Sequence, residues 1–438
     1  MSGSAARFCL APERPLQLRR PFRGVVSRAF DDRSRWRAAV VLWTLLLLPG
    51  CGGDSTHTAP GFRETVLLSG QSRPTPDGPQ SAVIRRLSGG TWSETSLPPA
   101  LRGRISGLAY SDSETVWAWT AGGESAGLVL RSIDDGRSFE VARDFVPDGG
   151  TYGPPSICDL LFVSPSEAWL LTEGHGALIN PLSSSLVFHT GSSGESWEST
   201  ALADLEDVPA TSGACSAPWN GAALLERGGR VELVRNPMGA LDSPRPTRIH
   251  ELPDPEGALV RPAAEQFFAT ASASFGGRGW IAGVLDAGGG GSPKRAGRLG
   301  IVTATGDSTW EHQPLPDCPR CLLARMEFAS ELRGLACGHR SEQSACDRAP
   351  LCLFTRDGGA TWREGRMPDG LRGLRVATLV LSSDGSRALA TADNQDCGDD
   401  TGARGALLES ADGGMSWQAS APPVEGLYAS DLVRSVAR

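Results

Sequence analysis

The chain has 438 residues and a net charge of −8. With 40% hydrophobic and 21% charged residues it is not a disordered composition, and its 54 glycines and 31 prolines point to many turns. Residues 1–50 carry nine arginines against Glu13, Asp31 and Asp32, a net of +6, so the rest carries −14. Such an acidic body argues against nucleic acid or anionic membrane as the main ligand.

The N-terminal segment reads as an export signal. Arg33, Arg35 and Arg37 precede an apolar run, residues 38–48. That run is too short to span a bilayer, which needs roughly 20 residues, but it suits the core of a signal peptide. It ends in Leu48-Pro49-Gly50-Cys51, which resembles the bacterial lipobox, so Cys51 is the expected lipidation site. Residues 1–32 lack apolar periodicity and read as an extension upstream of the true start. Residues 51–63 read as a lipidated tether and 64–438 as the folded domain, placed in the cell envelope, at the outer membrane or cell surface.

From there a motif recurs, Ser/Thr-x-Asp-x-Gly-x-Ser/Thr-aromatic. Three copies are complete: Ser132, Asp134, Gly136 and Phe139; Thr355, Asp357, Gly359 and Trp362; Ser410, Asp412, Gly414 and Trp417. A fourth runs from Thr190 to Trp197, with Gly194 in place but Ser192 where Asp is expected. Eroded copies end at Trp92 and Trp310. Most aromatic-to-aromatic gaps are 47 to 58 residues, and the gap from 197 to 310 is double. A unit without a box is therefore expected near 214–253, giving seven units of propeller-blade length.

Each box reads as a tight turn between two strands. Asp and Ser/Thr side chains bond nearby amides, glycine supplies positive φ, and the aromatic packs into the blade. The Asp is thus a structural residue and not a catalytic acid. Short apolar strands precede most boxes, as at 105–110, 159–163, 326–328 and 376–381. Residues 431–438 read as an inner strand that completes the first blade beside strands near 65–68 and 82–86, closing the ring. The fold class is all-β, a seven-bladed propeller of four-stranded blades.

These units resemble the Asp-box, or BNR, propellers of bacterial sialidases, the sortilin ectodomain and the photosystem II assembly and stability factors. The resemblance covers roughly 64–438. It implies a ligand site on the face opposite the boxes, on loops 120–127, 173–183, 285–297, 340–350 and 393–404. It does not imply one function.

The sialidase branch would require an arginine triad, a Tyr nucleophile with a Glu base, and an acid. The Arg-Ile-Pro segment expected for its first arginine is missing; Arg248-Ile249-His250 is the nearest. Tyrosines are only Tyr110, Tyr152 and Tyr428. The expected function is a non-catalytic, surface-anchored propeller that binds a protein or glycan, in an assembly or scaffold role, with a sialidase-like exo-glycosidase as the alternative. A monomer touching the membrane through its lipid only is expected, without catalytic residues, metal or cofactor. Residues 393–400 are acidic enough for Ca²⁺ but lack EF-hand spacing, so a solvated loop is the simpler reading.

Without Cys51, and without Cys9 in the leader, eight cysteines remain, an even number for an exported protein. The spacing predicts Cys337–Cys352 across a hairpin, Cys346–Cys397 between adjacent blades, Cys158–Cys215, and Cys318–Cys321. Reduced thiols, or zinc on Cys318, Cys321 and Cys337, are the alternative.

Overall fold

The computed structural model describes residue 62 and residues 64–72, 81–99, 101–121, 127–145, 156–173, 186–201, 222–235, 248–252, 267–285, 298–305, 309–313, 315, 316, 318, 320–341, 347–394, 405–422 and 426–435. All lie in one compact unit, His57–Arg438. Their strands form seven antiparallel sheets, six of four strands and one of three among the described residues.

From the inside outwards, blade 2 is Arg104–Tyr110, Val116–Ala121, Leu128–Ser132 and Glu140–Asp144. Blade 3 is Ser156–Phe162, Ala168–Glu173, Leu186–Thr190 and Glu198–Ala201. Blade 4, the unit without a box in the sequence, has Ala222–Arg227, Arg230–Arg235 and Arg248–Leu252. Blade 5 is Phe267–Phe275, Arg278–Leu285, Arg298–Thr305 and Glu311–Gln313. Blade 6 is Cys321–Phe328, Gly334–Ser341, Arg348–Thr355 and Arg363–Glu364, and blade 7 is Arg375–Leu381, Ala388–Asp393, Gly405–Ser410 and Gln418–Ser420.

Blade 1 joins the two ends of the domain. Its inner strand is Leu427–Arg434, followed outwards by Val66–Ser72, Ser81–Ser88 and Thr91–Glu94. The closing strand starts four residues earlier than the sequence suggests, at Leu427. The seven inner strands touch one another in sequence round the ring, and Leu427–Arg434 contacts the inner strands of both blade 7 and blade 2. The result is a closed seven-bladed propeller around a central shaft.

Burial grades outwards, and composition follows it. The inner strand of blade 7, Arg-Val-Ala-Thr-Leu-Val-Leu, is buried at every position, whereas its outer strand Gln-Ala-Ser is exposed at every position. A strand packed on both faces needs a near-continuous apolar run, and an outer strand does not. Six inner strands share one irregularity. Ser106, Cys158, Thr270, Ala324, Ala377 and Ser430 are each skipped in pairing to the second strand. Such a bulge re-aims the side chains that follow it.

Two faces result. The hairpins between first and second strands and the box turns share one face; the other carries the blade-to-blade links and the loops between second and third strands. The box face is tightly tied. Within blades 2, 3, 6 and 7, a box amide donates to the adjacent hairpin: Asp135 N to Glu114 O, Ser193 N to Ser166 O, Gly358 N to Leu332 O and Gly413 N to Ser386 O.

Candidate binding site at the mouth of the central shaft

The boxes are assembled from short side-chain bonds. In blade 6, Thr355 Oγ1 donates to Asp357 Oδ1 at 2.8 Å and accepts from Gly359 N at 2.9 Å, while Thr361 N and Oγ1 donate to the two Asp357 oxygens at 2.8 and 2.6 Å. Ser132 and Asp134, and Ser410 and Asp412, repeat this pattern. In blade 3, Ser192 Oγ accepts from Ser196 N at 2.9 Å, so one hydroxyl takes over part of the carboxylate's work. Burial pushes the Asp134 carboxyl up, but bonds from Ser138, Ser132 and Arg137 outweigh it and hold it at about 2. The same balance lowers Asp357 and Asp412. An aspartate spending its lone pairs on its own turn has no free oxygen for catalysis.

Each box also locks two blades. Gly136, Gly194, Gly359 and Gly414 have φ of +76°, +79°, +92° and +90°. A Cβ on Gly194 would sit 2.5 Å from the Trp117 ring, and one on Gly136 would sit 2.7 Å from Leu67. Gly359 faces Trp280, and Gly414 faces Leu335. In every case the neighbour is a second-strand residue of the preceding blade. Trp280 completes the lock by donating from Nε1 to Gly358 O at 2.9 Å. The box aromatics Phe139, Trp362 and Trp417 are buried, and Trp197 is half-buried beside Phe145.

Cys337 and Cys352 are disulfide-bonded, directly opposite in register with Cα atoms 4.1 Å apart. They lie in mid-strand, across the hairpin that the sequence predicts. Cys318 and Cys321 are also bonded to each other. Cys158 is disulfide-bonded, and its expected partner Cys215, like Cys346 and Cys397, lies outside the described residues. So do Cys51 and most of the loops expected to carry the ligand, including 395–404. Asp393 corrects the reading of that acidic loop. It is buried at the end of a strand and pairs with the buried Arg375, Nε to Oδ1 at 3.4 Å.

The bulges gather charge into the shaft. The residue after each bulge is Gly107, Asp159, Ala271, Arg325, Thr378 or Asp431. Asp431 accepts from Leu108 N of blade 2 at 2.9 Å, and Asp159 from Leu224 N of blade 4 at 2.8 Å. Each thus caps the free edge of the next inner strand. Arg325 reaches past blade 7: its Nη2 donates to Ser430 O at 2.7 Å. From blade 2, Arg104 Nε donates to Ser430 Oγ at 2.6 Å. Arg325 therefore plugs the shaft, with Asp431, Asp393 and Asp159 around it. Asp159, Arg325, Glu327 and Asp431 are enclosed by protein yet keep some accessible surface, as expected for side chains lining a narrow bore. Burial pushes Asp159 up to about 6 and Glu327 up to about 7, and it raises Asp431 in spite of Arg325. Arg325 Nε is buried and has no acceptor.

Two residues before each bulge, nearer the mouth, stand Tyr428 in blade 1 and, flanking it, Arg375 in blade 7 and Arg104 in blade 2. Tyr110 lies on the other face and donates to Asp135 Oδ1 at 3.0 Å. Burial, then the Asp135 charge, raises its phenol far above the usual range, the opposite of an activated nucleophile. Tyr152 lies outside the described residues. A shallow depression of about 640 Å³ around Ile133 and Asp135 also belongs to the box face and shares no residue with the shaft. Among the described residues, no cluster of His, Cys, Asp and Glu could hold a metal.

The protein is thus a seven-bladed, box-turn β-propeller with a polar, plugged shaft. No protein-family profile and no curated protein matches the sequence. Solved structures do. YCF48 bound to D1 peptide is 17% identical, with TM-score 0.42, over 72% of this chain and 80% of that one. A PL25 ulvan lyase bound to a sulfated disaccharide repeat is 13% identical, with TM-score 0.45, over 70% and 80%. The GH74 xyloglucanase from Xanthomonas campestris is 14% identical, with TM-score 0.42, over 82% and 69%. At these values the likeness carries no activity or ligand to this chain.

Proposed function

We propose that this chain is a non-catalytic, lipid-anchored propeller of the cell envelope that binds a protein or glycan partner at the shaft mouth. The observation carrying this reading is Arg325: a guanidinium across the shaft that keeps some accessible surface, with Arg104, Arg375 and Tyr428 nearer the mouth. Three arginines around one opening suit a partner that supplies a carbonyl, carboxylate or hydroxyl. The non-catalytic half rests on the shaft acids. Asp159 and Asp431 each accept two backbone amides and serve as blade pins. Arrays of peptides and glycans screened with the full chain test the reading. Hits should weaken with Arg325→Met and with Arg104→Ala in protein whose circular dichroism shows the β fold retained; binding indifferent to both would overturn it. The glycosidase reading draws on one feature, Tyr428 between two arginines. Sialoside cleavage abolished by Tyr428→Phe would establish it instead.

A further inference from the structure

The chain enters the propeller on the box face. Thr65 N donates to Ser435 Oγ at 3.1 Å, and Thr65 Oγ1 donates to Asp135 Oδ2 in the box of blade 2 at 2.8 Å. Glu64 accepts from Ser383 N, in the first hairpin of blade 7, at 3.0 Å. Upstream, Phe62 is buried in the apolar cluster that includes Leu68, Val380 and Leu432. Phe62 lies only 11 positions after Cys51.

The same face carries unusual apolar exposure. Among the described residues five large apolar side chains are exposed, and four of them lie here: Ile133 (66%) and Met415 (36%) in boxes, Leu332 (56%) and Phe275 (39%) in first hairpins.

We propose that the box face lies against the bilayer that holds the Cys51 lipid, with Ile133, Phe275, Leu332 and Met415 seated in the headgroup region and the shaft mouth presented away from the membrane. This rests on the lipid anchor of the preceding section. Tether length favours this orientation. A relaxed 11-residue chain spans about 18 Å. Turning the mouth to the membrane would route the tether outwards over two strand spacings, about 10 Å, and along a seven-residue strand, about 23 Å. That path of about 33 Å approaches the fully extended limit of about 40 Å. The face-down arrangement needs no such stretch, and it buries apolar side chains that water otherwise covers. The four apolar side chains share this face with exposed charges of both signs, among them Glu331, Arg333, Arg356 and Asp384.

The mature lipoprotein would be reconstituted in vesicles of phosphatidylethanolamine and phosphatidylcholine doped with a diazirine phospholipid, irradiated, and mapped by peptide mass. Adducts should fall on peptides containing Ile133, Phe275, Leu332 and Met415, with none at Arg104, Arg375 or Tyr428. The variant Phe275→Asp with Leu332→Asp should lose the adducts in blades 5 and 6 at unchanged melting temperature while remaining on the vesicles through its lipid. Adducts at the mouth, equally on both faces, or confined to the tether would overturn the orientation while leaving the anchor standing. An N-terminal peptide mass without acyl chains would overturn the anchor and this inference with it.

Discussion

Replacing Gly194 by alanine separates the two demands made on a box glycine. The backbone demand is φ +79°, where a Cβ costs about 1–2 kcal/mol. The packing demand is the Trp117 ring, 2.5 Å from the new Cβ and almost fully buried, with no free direction to move. Overpacking of that kind adds about 1–3 kcal/mol. Gly370→Ala is the matched control: φ is +83° and nothing lies within 4 Å of its Cβ. Urea unfolding of both variants followed by tryptophan fluorescence should therefore place Gly194→Ala about 1–3 kcal/mol below Gly370→Ala. Equal losses would refute the claim that the box glycine is a contact between blades and leave it a turn residue only.

Removing the Cys337–Cys352 bond by a double change to alanine should cost about 3 kcal/mol, the value for a closed loop of its 15-residue separation, read from the same unfolding curves; an unchanged midpoint would contradict it. Glu327, raised to about 7, binds its proton more tightly folded than unfolded, so its contribution is full below the unfolded value near 4.5 and is lost as pH rises through 7. Glu327→Gln should thus stabilise the protein at pH 8 relative to pH 5, and a variant whose stability tracks the parent across that range would count against the assignment. Asp134 and Asp384, held at about 2, act in the opposite sense: their contribution is full above about 3.8 and falls away towards pH 2, seen as acid unfolding that Asp384→Asn brings to higher pH. Cys51→Ala should leave the protein unprocessed or released from membranes, and equal retention would contradict lipidation.

What the sequence makes legible is what is local. Asp134, Gly136 and Phe139 bond and pack within one turn and its neighbour, so their spacing alone reveals the blade. The closing strand is legible because its apolar residues lack a box of their own. A missed turn, Ser382 to Ser386, carries the same signal: Ser382 and Ser386 both donate to Asp384. The shaft is not legible. Arg325 meets Ser430 over 105 residues, and both are placed by bulges for which Ala324 and Ser430 carry no compositional mark. Asp393 was misread for a related reason. Its partner Arg375 is the opposite residue of the neighbouring strand, so a run of acids in the sequence begins inside the blade.

Blade 1 is assembled from the two extremes of the domain, and this sets an order of events during synthesis. Strands Val66–Ser72, Ser81–Ser88 and Thr91–Glu94 emerge first, and Leu427–Arg434 emerges last. Until it arrives, Val66–Ser72 presents a bare hydrogen-bonding edge, and the ring is an open arc with two ends. Such an edge pairs readily with foreign strands. The lifetime of the nascent arc is thus the interval in which this protein is most exposed to chaperones and proteases. A truncation of only the last twelve residues would make that interval permanent.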